Sequence, residues 1–350
     1  MNIHQLLEIA VQRTASDLHL VSGYPPSLRI HGELLPINGT TPLTNSDLLS
    51  LISPLISISQ KKAFDENLEL DLGMSFEDKA RFRINVFKEQ GHLTAALRLI
   101  PLKIPELESL GLPEAIKKLV TIRQGFILVT GPTGHGKSTT LAAMINKINL
   151  SRSAHILTIE DPIEYTYPKA KSIVSQRELL LDTKSWSNAM RAALREDPDV
   201  VLVGEMRDYE TIAAAITIAE TGHLVFATLH TNSAAQSIDR MIDVFPENQQ
   251  PQIRLQLSVV LEAIISQRLI PTISPGRALA VELLLRNTAL SSLIRDAKTH
   301  MIDNLIQTSG EMGMVSMENS LAKLVREGRI TYEVAEGYSL RPSVLAKILG

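Results

Sequence analysis

The chain has 350 residues, 44% of them apolar, and a formal net charge of −3, enough to fill two cores and too near neutral for non-specific attraction to nucleic acid. Zero cysteines exclude disulfides, thiolate zinc sites and a cysteine nucleophile, and agree with a reducing compartment. Met1–Thr14 shows no basic stretch followed by an apolar run, and apolar runs such as Val259-Val260-Leu261 are broken by Glu262 and Gln267, so a soluble cytoplasmic protein without signal peptide or membrane span is expected.

Ile3, Leu6, Leu7 and Ala10 recur at helical spacing and predict an opening amphipathic helix. The period then changes. Residues 18–21, 27–30 and 34–37 read as short strands, separated by turns at Gly23/Pro25/Pro26 and His31-Gly32. Thr44 or Ser46 can cap a helix running to about Ile56, with Leu48, Leu51, Ile52 and Leu55 inward. Residues 68–72, 81–88 and 92–100 supply further strands, the last two joined at Glu89-Gln90-Gly91. Residues 1–100 thus predict an α+β domain around an antiparallel sheet, and Pro101, Pro105, Gly111 and Pro113 mark a linker over 101–112. Arg81-Phe82-Arg83-Ile84-Asn85 alternates basic and apolar residues, and Arg98 lies on the return strand. Two readings stay open for these arginines: an ordinary wet sheet face, or a basic face aimed at phosphates.

Gly131-Pro132-Thr133-Gly134-His135-Gly136-Lys137-Ser138 fits the phosphate-loop pattern G-x-x-x-x-G-K-[ST] at every fixed position, and Thr139 follows. The buried strand 125–130 precedes it and a helix over 140–148, with Leu141, Met144, Ile145 and Ile148 on one face, follows. Glycines let the backbone turn its N–H groups toward phosphate oxygens, the helix start adds positive dipole, Lys137 reaches the β- and γ-phosphates and Ser138 sits on Mg²⁺. The chain is expected to bind a nucleoside triphosphate with Mg²⁺.

Residues 155–159 form an apolar strand ending in Glu160-Asp161-Pro162-Ile163-Glu164. These acids are either a solvated turn or positioners of Mg²⁺ and water, with Glu160 and Asp161 as candidate metal ligands. Strand 199–203 ends in Gly204-Glu205, a Walker-B-type ending in which Glu205 can orient the attacking water or accept its proton. Strand 224–229 carries a histidine at each end; His223 can be merely packed, whereas His230, before Thr231-Asn232, suits a γ-phosphate or product sensor. No zinc spacing accompanies them. From Gln252 the pattern reads as helix, with Ile253, Leu257, Val260, Leu261, Ile264 and Leu269 on one stripe. A strand over 278–285 and helices over 289–297 and 317–327 follow, the last closed by Gly328 with Leu321 and Leu324 inward.

With these strings in hand, the chain resembles the secretion and type IV pilus ATPases of the additional-strand, RecA-like class, over residues 1 to about 340. The resemblance rests on the phosphate loop, on Thr158–Glu164 as an Asp box, on Gln176-Arg177-Glu178, on Ala193–Asp199, on Gly204-Glu205-Met206-Arg207-Asp208 as Walker B, and on 221–232 as a His box. It implies an α/β fold: a RecA-like P-loop motor domain over 113–350 with a helical C-terminal segment, and a smaller α+β, PAS-like domain over 1–100. It further implies a homohexameric ring, with ATP held between the two domains of one chain. Arg81, Arg83 and Arg98 would close on the nucleotide, with Glu205 as catalytic glutamate, Glu164 as an Asp-box acid and His230 as sensor. The expected partners are an inner-membrane pilus platform protein and paralogous pilus ATPases, with the chain peripheral at that membrane.

Lack of a four-cysteine motif and of a long N-terminal extension favours the retraction branch, hence pilus retraction and twitching motility. That branch carries the string Ala-Ile-Arg-Asn-Leu-Ile-Arg-Glu; here Ala289 to Asp296 stand in its place, with Ser291 for an arginine and Asp296 for a glutamate. The departure leaves hydrolysis intact and keeps an accessory retraction paralogue or a secretion-type ATPase as alternatives. A weakly hydrolysing nucleotide scaffold conflicts with the intact Lys137, Glu205 and His230. A nucleic-acid translocase conflicts with the charge and the 4% aromatic content.

Overall fold

Two sheets organise the chain, each in its own unit: residues 1–103 with 162–166, and residues 104–161 with 167–350. The computed structural model describes residues 1–350 apart from His31, Asp78, Leu102 and Arg207, and apart from the side chain of Pro101. His31 of the expected turn, Leu102 of the expected linker and Arg207 of the Walker-B string therefore lie outside the described residues.

The first unit builds an antiparallel sheet from β1 (Asp17–Leu20), β2 (Ser27–Ile30), β3 (Glu33–Pro36), β4 (Glu69–Phe76), β5 (Ala80–Glu89) and β6 (His92–Pro101), in the order β3-β2-β1-β6-β5-β4. Along β5, Ala80, Phe82, Ile84 and Val86 are buried while the residues between them keep partial exposure, the two-residue period of a sheet covered on one face. Leu6, Leu7, Leu48, Leu51, Ile52 and Phe64, from helices Ile3–Gln12, Asn45–Ile52 and Ile58–Asn67, complete that core. Thr44, not Ser46, caps the second helix, in a reciprocal box with Asp47. That helix stops at Ile52 rather than near Ile56, because Pro54 follows and the chain tightens into a 3₁₀ turn over Ser53–Leu55. Helix Ile58–Asn67 has no counterpart in the sequence reading. It buries only Phe64, so no apolar stripe announces it.

The second unit carries β7 (Gly125–Thr130), β8 (His155–Glu160), β9 (Ile173–Glu178), β10 (Val200–Val203), β11 (Leu224–Leu229), β12 (Leu261–Pro271) and β13 (Arg277–Leu285). Their order is β13-β12-β7-β11-β10-β8-β9, parallel throughout except for the antiparallel β12–β13 pair. Every residue of β7, β10 and β11 is buried, as in parallel strands covered on both faces by helices. The covering residues include Met190, Ile212, Ile216, Ile238 and Leu257, in one core with Phe126 and Val203. The expected α/β class is observed, with a separate α+β unit and a helical C-terminal segment in which Leu321 and Leu324 pack with Ile270 and Ala280.

One expectation is corrected. The stripe read as helical from Gln252 to Leu269 is helix only over Gln250–Val260; from Leu261 the chain is β12, paired with β7 on one side and β13 on the other. A nearly continuous apolar run whose two faces are both buried has no period that separates strand from helix. Only its sheet partners decide.

Candidate functional site

In the second unit, β7, β8, β10 and β11 end together. Thr130 pairs with Leu229, and Val203 pairs with both Ala227 and Ile159. The phosphate loop, Glu160-Asp161, Gly204-Glu205 and His230-Thr231 therefore all leave the sheet at its carboxyl edge, where parallel sheets bind ligands.

Gly131, Gly134 and Gly136 have φ of 140°, 79° and 81°, conformations that side chains rarely adopt. Gly136 is the N-cap of helix Lys137–Ser151, whose positive end addresses the loop. Lys137 is 8% exposed, and its Nζ donates to Gly131 O at 2.9 Å and Pro132 O at 3.0 Å. The cation is thus folded back on its own loop. Pro132, Ser138 and Thr139 are half-buried, and Thr133 is exposed. His135 turns to β12, its Nδ1 accepting from the Leu269 N–H at 3.0 Å. Burial, then the Arg268, Lys137 and Arg277 cations, hold its imidazole below the ordinary pKa, in keeping with a neutral acceptor.

Glu205 follows β10, and its backbone is pinned on both sides. Gly204 N–H donates to Ile159 O at 2.8 Å, Thr228 Oγ1 donates to Gly204 O at 2.5 Å and Met206 N–H donates to Thr228 O at 3.2 Å. A Cβ on Gly204 would stand 3.1 Å from Ile159 O, so glycine lets the acid approach the neighbouring strand. His230 Nε2 lies 3.3 Å from Glu205 Oε1, and His230 Nδ1 lies 3.3 Å from Lys137 Nζ and 3.4 Å from Thr133 Oγ1. Three sequence-predicted residues, Lys137, Glu205 and His230, thereby meet. His223 sits at the other end of β11, its Nδ1 bonded to Ile218 O at 2.9 Å, a packing role.

Glu160 is buried and accepts from Thr158 Oγ1 at 2.6 Å and Gln176 Nε2 at 3.1 Å, while Asp161 is exposed. Among the described residues no three acids or histidines form a metal-holding group. In the first unit, Glu164 is half-buried, and Arg81 Nε donates to Ile163 O at 2.7 Å and Nη1 to Ser75 Oγ at 3.2 Å. Arg83 stands directly across from Arg98 in the β5–β6 ladder, with Arg81 two residues along β5 on the same face. Arg83 pairs with Asp71 at 3.5 Å and Arg98 with Asp17 at 3.0 Å. These carboxylates offset the like charges that face each other on the sheet. Sequence reasoning missed Gln267, Thr228 and Arg277, whose contacts with the site come from strands distant in sequence; Arg277 Nη1, for example, reaches Gly134 O at 3.4 Å.

Residues 1–327 match the family described as type II/IV secretion system protein. The chain is 46% identical over 335 residues to the type IV pilus retraction ATPase PilT of Pseudomonas aeruginosa, covering 96% of this chain and 97% of that protein. It is 44% identical to a twitching motility protein of Neisseria gonorrhoeae, covering 95% and 89%. Among solved structures, that of the pilus retraction motor PilT with bound ADP superposes with a TM-score of 0.92 at 46% identity, covering 99% of each chain. Among the described residues no helix is long and apolar enough to cross a membrane.

Proposed function

The chain belongs to the type II/IV secretion system protein family, and from that premise we propose that it is a Mg²⁺-dependent ATPase that powers type IV pilus retraction as a homohexamer. The observation that carries the reading is the Lys137–His230–Glu205 chain of contacts at the carboxyl edge of the sheet. A phosphate-binding cation and a candidate base are held in one rigid frame, as hydrolysis needs.

The residues fit a nucleoside triphosphate. Glycines at positive φ leave the loop backbone able to face phosphates, and Lys137, released from Gly131 O and Pro132 O, has β/γ-phosphate oxygens as its natural acceptors. Mg²⁺ would be held by the Ser138 hydroxyl and phosphate oxygens, with Glu160 and Asp161 acting through water, and would neutralise phosphate charge. Glu205 accepts the proton of the attacking water. His230, linked to both Lys137 and Glu205, registers loss of the γ-phosphate. The shared face of Arg81, Arg83 and Arg98 suits phosphate oxygens. Glu164 is assigned as an accessory acid, and the pilus platform protein of the inner membrane as the partner, with paralogous pilus ATPases assembling alongside.

The accessory-paralogue reading stands beside it on a departure in sequence: Ser291, whose Oγ donates to Ser258 O at 2.8 Å, stands where the retraction string carries an arginine. The test is phosphate release by purified protein with Mg²⁺ or EDTA, with mass photometry for ring size, and pilus-length microscopy in a deletion strain. Hexamers, Mg²⁺-dependent release and shortened pili on complementation by wild type but not by Glu205→Gln are expected. A monomer without turnover would overturn the reading.

A further inference from the structure

The phosphate loop has a second wall that the nucleotide chemistry does not use. β12 pairs with β7 as far as Ser266 opposite Thr130, a register closed by the Thr130 Oγ1–Ser266 Oγ hydrogen bond at 2.9 Å. β7 then becomes the phosphate loop, but β12 runs on to Pro271 beside it. Four contacts join the two. Gln267 Nε2 donates to His135 O at 2.7 Å, and the Leu269 N–H donates to His135 Nδ1 at 3.0 Å. A Cβ on Gly131 would collide with the Gln267 carbonyl oxygen, and one on Gly136 would stand 3.3 Å from Gln267 Nε2 and 3.6 Å from the Leu269 side chain. The first and last glycines of the loop are thus needed for contact with β12 as well as for phosphate.

Gln267 is 1% exposed, and its Oε1 is buried without a hydrogen-bond partner. A buried amide that leaves one acceptor unmet is unfavourable by itself. An apolar residue of similar length would fill the same space without that penalty, so core packing does not account for glutamine here. Its donor to His135 does.

We propose that Gln267, acting with the Leu269 amide, is a positioning residue for nucleotide binding: β12 grips His135 from behind and sets the shape of the phosphate loop before nucleotide arrives. Residues 267 and 269 face the loop. Arg268 between them turns the other way and donates to Tyr338 O at 2.6 Å, which anchors the gripping strand to the C-terminal helices. Preorganisation of this kind acts on affinity, since a loop free to sample other shapes must be ordered by the ligand. The inference rests on Gly131–Ser138 being the phosphate-binding loop.

The test compares wild type with Gln267→Met, His135→Ala and His135→Asn, by ADP titration, ATP turnover over a range of ATP concentrations, and thermal melting. Gln267→Met keeps length and removes the donor; His135→Asn places an amide oxygen where Nδ1 accepts. Gln267→Met and His135→Ala are expected to raise KM and the ADP Kd by about 5- to 10-fold, each having lost one hydrogen bond, with a smaller change in kcat. His135→Asn should recover most of the affinity. Wild-type affinity in Gln267→Met overturns the proposal. So does a loss confined to kcat and melting temperature, the signature of a merely structural role, or His135→Asn binding as weakly as His135→Ala. Lys137→Ala runs alongside: a wild type that binds ADP no better than this variant removes the ATPase reading itself, whereas a normal wild type with an unaltered Gln267→Met removes only the role of β12.

Discussion

His230 stands between Lys137 and Glu205, with Nδ1 3.3 Å from the Lys137 ammonium and Nε2 3.3 Å from the Glu205 carboxylate. The Lys137 ammonium can only donate, and it also donates to Gly131 O and Pro132 O. One imidazole thus bridges the phosphate-loop cation and the carboxylate proposed as the catalytic acid.

His230→Phe keeps a ring of similar size and removes both nitrogens. ATP turnover should fall by about 10-fold or more while ADP affinity changes by less than about 3-fold, because the contact orients the reacting groups rather than the bound phosphates. Stopped-flow phosphate release and titration measure the two. Unchanged turnover would remove His230 from the machinery.

Glu205→Gln preserves size and reach but not the charge that polarises water. Binding should survive while turnover drops by about 10²-fold or more. Glu196→Gln is the matched control: Glu196 pairs with Arg177 at 2.7 Å, so a smaller effect on hydrolysis is expected. If Glu205→Gln hydrolyses normally and Glu164→Gln does not, the catalytic carboxylate belongs to the Asp box instead.

Away from the site, Glu282 of β13 is fully buried, with Oε1 accepting from the Ala234 N–H at 2.8 Å and Oε2 4.0 Å from Arg341 Nη2. Burial pushes its pKa up to about 7 from 4.5, against the Ala234 hydrogen bond and Arg341, and with the Asp303 and Glu318 carboxylates adding to the rise. The folded state therefore keeps a proton that the unfolded chain has lost. Stability from that proton is complete below pH 4.5 and is lost as pH rises through 7. Glu282→Gln keeps the acceptor for Ala234 and cannot ionise. Urea unfolding should show the variant gaining on wild type between pH 5 and 8, by up to about 3 kcal/mol. A difference independent of pH would show that Glu282 does not titrate in this range.

The phosphate loop, the acids closing β8 and β10, and the histidine after β11 were legible in the sequence because each is a local string. Glycine spacing, a four-residue apolar strand before Glu205 and a polar cluster after a buried strand carry their chemistry within about ten residues. The antiparallel ladder that places Arg83 across from Arg98 was half legible: alternation put the arginines on one face, but the facing register depends on pairing.

Other features were decided only by tertiary structure. Leu261–Pro271 became a strand because β7 and β13 flank it; its own apolar run reads equally as helix. Helix Ile58–Asn67 hides because one buried Phe64 makes no stripe. The meeting of Lys137, Glu205 and His230, and the grip of Gln267 on His135 across 132 residues of sequence, follow from the order in which parallel strands lie side by side. Strand order is set by which apolar faces the helices bury and which edges pair, a property of the whole sheet that no single stretch of the chain contains.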